Sequence, residues 1–208
     1  MSAHAAAASA GRSPERGIGV HDAKVGMWVF LASEVMFFTG LIGSYIILRF
    51  GASGAWAPPG EVLAINITAL NTFILICSSV SMVKAFAAAE EDDLGGVRLW
   101  LAVTLLLGIV FLGIQAYEYR ELIHHGFMPT CGEELAAAVP NCNLYGSTFY
   151  TMTGFHGFHV FLGVCCLAFT TVKAFRGRFN LPGVENMGLY WHFVDLVWII
   201  LFTIVYLI

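Results

Sequence analysis

The sequence predicts an all-α, polytopic membrane protein with five transmembrane helices. Hydrophobic residues make up 58% of the chain and charged residues only 12%, whereas soluble domains carry about 25% charged residues. The mean hydropathy is +0.77. Five apolar runs are each long enough to cross a hydrocarbon layer of about 30 Å. These runs are residues 25–48, 62–86, 97–120, 147–172 and 188–208.

Each apolar run ends at a chemically distinct break. Proline or glycine pairs, acidic residues or basic residues interrupt the hydropathy at residues 51–60, 90–96, 123–146 and 173–183. Before the first run, residues 1–24 are mostly small and polar, without the apolar stretch of a signal peptide. We therefore predict a cytoplasmic N-terminal tail at residues 1–24, followed by a transmembrane domain at residues 25–208.

The distribution of lysine and arginine predicts the orientation. With the N-terminus inside, the inner side carries Arg12, Arg16, Lys24, Lys84, Arg98, Lys173, Arg176 and Arg178, and the outer side carries Arg49 and Arg120. The positive-inside rule therefore predicts a cytoplasmic N-terminus and a periplasmic C-terminus. Several aromatic residues near the span ends are expected in the interfacial belts: Trp28, Trp56, Trp100, Tyr119, Trp191 and Tyr206.

Composition and motifs exclude several functions. The net charge is −4, and no large basic cluster favours nucleic-acid binding. No phosphate-binding loop, nucleophile elbow or zinc-protease motif is present. We predict no catalytic residues and no metal site in this chain.

Cys131 and Cys142 both lie in the long loop expected on the outer side. An oxidising compartment would allow them to form a disulfide, and the alternative is two free thiols. Cys77, Cys165 and Cys166 fall within spans, where we expect them to fill space as small apolar residues.

Glu34 lies in the middle of the first span, where a carboxylate is costly. Such a residue is a candidate proton relay or a contact for a lipid or a partner. The alternative is a neutral acid that forms a hydrogen bond with a neighbouring helix.

Two pairs of polar residues follow in the later spans. His156 and His159 share one helix face, and His192 and Asp195 form a second pair with the same spacing. They are candidates for metal or haem ligation, or for hydrogen bonding between helices. Nearby small residues indicate close helix packing: Gly154, Gly157 and Gly163. Other buried polar residues are expected to join helices: Asn66, Thr68, Asn71, Gln115 and Glu118.

Six segments, in order along the chain, resemble subunit III of the haem-copper cytochrome c oxidases. They are residues 26–40, 70–72, 115–119, 145–149, 153–160 and 190–198. Within the first segment, Ser33, Glu34 and Val35 favour the branch that oxidises cytochrome c over the branch that oxidises quinol.

The resemblance implies a subunit of an aa3- or caa3-type oxidase in a bacterial inner membrane, without haem or copper of its own. Such a subunit packs on subunit I, belongs to a complex with subunit II and cytochrome c, binds phospholipid and supports proton uptake. Haem and copper reside in the partner subunits. Glu34 matches the carbodiimide-reactive carboxyl beside the lipid cleft, and Lys173 matches a basic residue near lipid phosphate. His156, His159, His192 and Asp195 match polar packing positions, as do Asn71 and Glu118.

Fuller members of that family have seven helices, and the leading pair has no counterpart here. Only one wall of the lipid cleft is therefore expected in this chain. The alternatives are a subunit of a quinol oxidase, a subunit associated with nitric oxide reductase, and a b-type cytochrome that uses His156, His159 and His192.

Overall fold

The computed structural model describes residues 22–52, 56, 59–178 and 180–208, without the side chains of residues 61 and 62. Of the predicted tail, residues 1–21 lie outside the described residues. Asp22 and Lys24 already belong to the first helix.

The described residues form helices and connecting turns, without strands. The helices are α1 (Asp22–Gly51), α2 (Pro59–Val62), α3 (Ile65–Glu90), α4 (Leu94–His124), α5 (Glu133–Ala138), α6 (Cys142–Phe175) and α7 (Leu181–Phe202). A short π-helical turn, Thr203–Leu207, continues α7. Five of these elements are long and apolar enough to cross a membrane, which confirms the predicted fold class.

The helix boundaries differ from the apolar runs because helices continue past the hydrocarbon layer. α6 begins at Cys142 and α7 at Leu181, both earlier than predicted. The predicted break at residues 173–183 includes Pro182, which instead lies in the first turn of α7. Proline is tolerated there, because its missing N–H would have no partner within the helix.

Four long helices form a ring, and the fifth packs on its outside. α3 contacts α4 and α7, and α6 contacts the same two helices from the opposite side. α1 lies against α7 and α6. We call the end that contains Cys131 and Cys142 the disulfide end, and the end that contains the α3–α4 turn the hairpin end.

The α3–α4 turn is short because glycine and aspartate allow a sharp reversal. Asp92 has a φ of 55°, in the left-handed region. The Asp93 carboxylate accepts a hydrogen bond from the Gly95 N–H at 3.0 Å and caps α4. A Cβ at Gly96 would lie 2.9 Å from the Ala88 Cβ, so only glycine lets the two helices approach this closely.

Trp191 on α7 fills the centre of the ring. A Cβ at Gly108 on α4 would lie 2.7 Å from Trp191 Cη2, and a Cβ at Gly163 on α6 would lie 3.1 Å from Trp191 Cζ3. The indole is therefore held between two glycines. Cβ atoms at Gly154 and Gly157 would meet nothing within 4 Å, so these two glycines do not serve the close packing that we predicted for them.

Three aromatic donors on α7 extend this contact along the bundle, and we call Trp191, Trp198 and Tyr206 the aromatic ladder. Trp191 Nε1 donates to Ser78 Oγ at 2.9 Å, and Trp198 Nε1 donates to Thr72 Oγ1 at 2.9 Å. Tyr206 Oη donates to Glu118 Oε1 at 3.0 Å. Trp191 and Tyr206 are buried, so their rings pack inside the bundle and do not face lipid. Trp28, by contrast, is exposed.

Polar contacts hold α1 near both of its ends. Lys24 forms an ion pair with Glu185 of α7 at the hairpin end. At the disulfide end, Arg49 donates to Tyr45 Oη at 2.6 Å and to the Ile208 carbonyl. Most of the remaining α1 surface is exposed, including Val29, Met36 and Ile47.

We expect Gly108→Ala to destabilise the protein by about 1–3 kcal/mol, because the rigid Trp191 ring has no room to move away from the added methyl group. Gly113→Ala on the same helix is the matched control, since a Cβ there meets nothing within 4 Å. The control should be neutral, or more stable by up to about 1 kcal/mol, from helix propensity. Melting of the purified protein measures both effects, and equal melting temperatures for the two variants would contradict this account.

Candidate functional site

Glu34 and His159 form an ion pair or hydrogen bond between α1 and α6. Glu34 Oε2 lies 3.0 Å from His159 Nε2, and the side chains are 18% and 12% exposed. His159 Nδ1 lies 2.7 Å from the Phe155 carbonyl oxygen. Because a carbonyl only accepts, Nδ1 must carry a hydrogen.

That geometry limits the protonation of the pair. If His159 is neutral, Nε2 accepts, and Glu34 must be a protonated acid that donates to it. If His159 is an imidazolium, Nε2 donates to a Glu34 carboxylate. In both forms the pair holds one shared proton and has no net charge, as a position at membrane depth requires.

Aromatic rings surround this pair. The Phe38 ring centroid lies 5.2 Å from the His159 ring, and the Phe37 centroid lies 6.4 Å from it. Tyr190 Oη donates to the His159 carbonyl at 2.9 Å and ties this turn of α6 to α7. The pair therefore lies at the edge of the bundle in apolar surroundings.

A second polar cluster joins α3 to α7. Ser79 Oγ donates to Asp195 Oδ2 at 2.5 Å and lies 3.2 Å from His192 Nδ1. The serine thus lies between the other two side chains. A hydrolase triad requires the histidine in that central position, so this geometry does not activate the serine as a nucleophile.

Glu118 and Asn71 join helices inside the ring. Glu118 Oε1 accepts from Thr68 Oγ1 at 2.8 Å as well as from Tyr206. Asn71 Nδ2 donates to the Phe111 carbonyl at 3.3 Å. Gln115 is buried, but no described residue lies within hydrogen-bond distance of its side-chain amide. Asn66, which we also expected between helices, is exposed.

His156 is buried among aromatic rings. Its ring stacks on Trp198 with centroids 4.9 Å apart, and the Phe38 and Phe111 rings approach it edge-on. Neither ring nitrogen has a hydrogen-bond partner among the described residues. The candidate ligands His156, His159 and His192 thus have separate surroundings. Over the described ranges, no three His, Cys, Asp or Glu side chains are placed to hold a metal ion.

Lys173 lies exposed in the last turn of α6 at the hairpin end. Its Nζ is 4.8 Å from the centroid of the Phe169 ring. From Lys173, exposed apolar residues including Phe169 and Leu162 continue along α6 towards His159.

Cys131 and Cys142 are joined by a disulfide, with their Cα atoms 6.0 Å apart. The loop packs on the start of α6, where Asn143 Oδ1 accepts from the Cys131 N–H at 2.7 Å. A Cβ at Gly146 would lie 2.2 Å from the Met128 carbonyl oxygen, so this contact requires glycine.

Sequence reasoning did not single out Ser79, Glu185 or the hydrogen-bonding role of the aromatic ladder. Ser79 lies about two turns after Thr72 in an apolar span, and its spacing alone carries no signal for a partner on α7. The ladder does have a signal, since Trp191 and Trp198 are spaced by two helical turns and share one face.

We expect Ser79→Ala to lower stability by about 1–3 kcal/mol, because Asp195 Oδ2 then loses its donor while buried. Ser44→Ala is the matched control, since Ser44 is exposed and its hydroxyl bonds only the Gly40 carbonyl of its own helix. Thermal melting of the purified protein tests the difference. If Asp195→Leu in the Ser79→Ala background does not recover part of the loss, the Ser79–Asp195 contact is not the cause.

The chain was compared with known proteins. The family model described as cytochrome c oxidase subunit III matches residues 15–208. The chain is 40% identical over 188 residues to a probable cytochrome c oxidase subunit 3 of Mycobacterium tuberculosis (strain ATCC 25618 / H37Rv), covering 88% of this chain and 87% of that protein. It is 39% identical to cytochrome c oxidase subunit 3 of Thermostichus vulcanus, with coverage of 88% and 86%. It is 33% identical to the Bacillus subtilis (strain 168) protein of the same name, with coverage of 88% and 84%.

Proposed function

Because the chain belongs to the cytochrome c oxidase subunit III family, we propose that it is the non-redox third subunit of a bacterial aa3- or caa3-type oxidase. The complex reduces O2 to water, oxidises cytochrome c and pumps protons. In this proposal, the chain supports assembly, retains phospholipid and sustains proton uptake, while the partner subunits hold the haem and copper.

The Glu34–His159 pair is the observation that carries this role. It places a carboxyl group with a shared proton at the edge of the bundle, only partly covered by the chain itself. A groove of about 220 Å³ between α1 and α6, lined by Leu41, Tyr45, Thr148 and Met152, continues towards the disulfide end. Such an apolar groove suits a lipid acyl chain, and the pair lies where a lipid or subunit I would cover it.

Lys173 is a suitable headgroup contact for a lipid on the same side of α6. It lies fourteen residues after His159, which corresponds to roughly 21 Å along a helix at about 1.5 Å per residue. Its ammonium group binds phosphate as a point charge. We therefore propose a phospholipid with its phosphate near Lys173 and its chains along the exposed apolar stripe.

We propose that the hairpin end faces the cytoplasm of a bacterial inner membrane. Six of the described cations lie near that end: Lys24, Lys84, Arg98, Lys173, Arg176 and Arg178. Only Arg49 and Arg120 of the described cations lie near the disulfide end. The positive-inside rule supports this orientation, and it places the Cys131–Cys142 bridge in the oxidising periplasm.

We propose that the exposed surface of α1 contacts subunit I. α1 has the smallest buried share of the five spans, at 11% of its most apolar window. The relatives' names specify cytochrome c oxidase, which favours this complex over a quinol oxidase or a nitric oxide reductase. Purifying the chain with its neighbours and recording the haem spectrum tests this choice, since the spectrum of a quinol oxidase would contradict it.

We expect Glu34→Ala to leave folding, haem content and the initial rate of O2 reduction unchanged. The variant loses one hydrogen bond, about 1 kcal/mol. It should shorten the time over which the oxidase stays active during turnover. Glu90→Ala, an exposed acid at the hairpin end, is the control. If Glu34→Ala stops O2 reduction at the first turnover, Glu34 is an obligatory proton relay and this assignment is wrong.

We expect Lys173→Ala to reduce the phospholipid that remains bound after purification, because the phosphate loses its cation. Lys84→Ala is the matched control, since Lys84 lies over the Trp100 ring at the same end of the bundle. Mass spectrometry of extracted lipid measures the effect. Equal lipid retention in the two variants would exclude Lys173 as the phosphate contact.

A further inference from the structure

Four buried side chains on three helices leave polar atoms without a hydrogen-bond partner among the described residues. They are Asn71 Oδ1 on α3, both amide atoms of Gln115 and Oε2 of Glu118 on α4, and both ring nitrogens of His156 on α6. All four residues are at most 5% exposed. Buried polar groups in proteins nearly always have a protein or water partner.

The helix register brings these four side chains into one region of the ring. Tyr119 Oη donates to Thr153 Oγ1 at 2.6 Å, which aligns α4 with the antiparallel α6. One turn further along each helix, Gln115 and His156 therefore lie at the same depth.

The α3–α4 contacts place the other two side chains beside them. The Thr68–Glu118 bond and the bond from Asn71 to the Phe111 carbonyl fix this second register. The whole set spans about two helical turns, roughly 10 Å of depth.

A cavity lies beside Glu118 at the disulfide end. It has a volume of about 780 Å³ and lies between the first turn of α3 and the last turns of α4. Its lining includes Asn66, Glu118, Glu121 and His125. Glu118 is the residue that the cavity wall and the buried set share.

Water is the ligand that fits these groups. Two of the atoms, Glu118 Oε2 and Asn71 Oδ1, are acceptors. The Gln115 amide and the His156 imidazole can each both donate and accept. Only a molecule that donates and accepts in several directions can serve all of them. The Gln115 amide cannot satisfy two imidazole nitrogens and the Asn71 oxygen together.

We propose that ordered water fills this region and continues into the cavity, as a hydrated inlet that enters at the disulfide end and stops at His156. The Trp198 and Phe111 rings, with centroids 5.1 Å apart, close it beside His156. The Phe38 ring contacts both His156 and His159, with centroids 6.4 Å and 5.2 Å away. The inlet thus brings water from one compartment to Glu118 and His156.

Cysteine accessibility to silver ions tests the inlet in the assembled complex, because Ag⁺ is small and follows water. Cys77, Cys165 and Cys166 are first replaced by alanine, and the Cys131–Cys142 bridge is kept. Gln115→Cys probes the inlet and Asn66→Cys probes its mouth. Leu201→Cys is the control, since Leu201 is buried and lies between Trp198 and Tyr206 at a similar depth.

With Ag⁺ added at the disulfide end, we expect the cysteine at position 115 to react at least about tenfold faster than the one at position 201, because a thiol in dry apolar surroundings is inert. Reaction is measured as protection from a maleimide after denaturation. If position 66 reacts with Ag⁺ while positions 115 and 201 both stay unreacted and are labelled by the maleimide, the inlet is dry and the proposal is overturned.

A second measurement needs no variant. A map of the wild-type complex that resolves ordered water should show water molecules bonded to Gln115 and His156. Direct bonding of the Gln115 amide to the imidazole, without water beside Asn71 or Glu118, would also overturn the proposal.

Discussion

The aromatic ladder of α7 sets the depth of that helix against α3 and α4, and the rest of the ring follows from it. Trp191, Trp198 and Tyr206 each present a large apolar ring with a single donor, and each donor has one partner. In lipid, a lost donor finds no water to replace its partner. A shift of α7 by one turn would break all three bonds and would also move the Trp191 ring out of the space that Gly108 and Gly163 leave for it. The bundle therefore has one register rather than a choice among several.

The four ring helices and α1 are held in the fold by different kinds of contact. The four ring helices are joined by buried hydrogen bonds and by aromatic packing around His156 and Trp198. α1 buries only Leu31, Phe38 and Tyr45. Lys24 and Arg49 near its ends and Glu34 between them add polar contacts. A helix that buries so little keeps most of its apolar surface for lipid or for another subunit.

Hydropathy was sufficient to predict the five helices, because a run of about 20 apolar residues has few alternatives in a membrane protein. It was not sufficient for the starts of α6 and α7. α6 begins at Cys142, within the Cys131–Cys142 loop, and α7 begins with Pro182 in its first turn. The polar residues worth attention were also recognisable from their depth. Their partners could not be predicted, because the spacing of residues along one helix does not show which face of another helix those residues contact. Glu34 thus meets His159, and His192 reaches Asp195 only through Ser79.

The separation of Glu34 and His159 along the chain has a consequence for biosynthesis. The two residues are 125 positions apart, on the first and fourth spans. When α1 leaves the ribosome and enters the bilayer, α6 has not yet been made, so the carboxyl group has no partner. An unpaired carboxyl group at membrane depth is costly, and that cost is relieved only when the fourth span has been inserted. The Glu34–His159 contact therefore forms late in translation and can report on whether the fourth span has been inserted against the first.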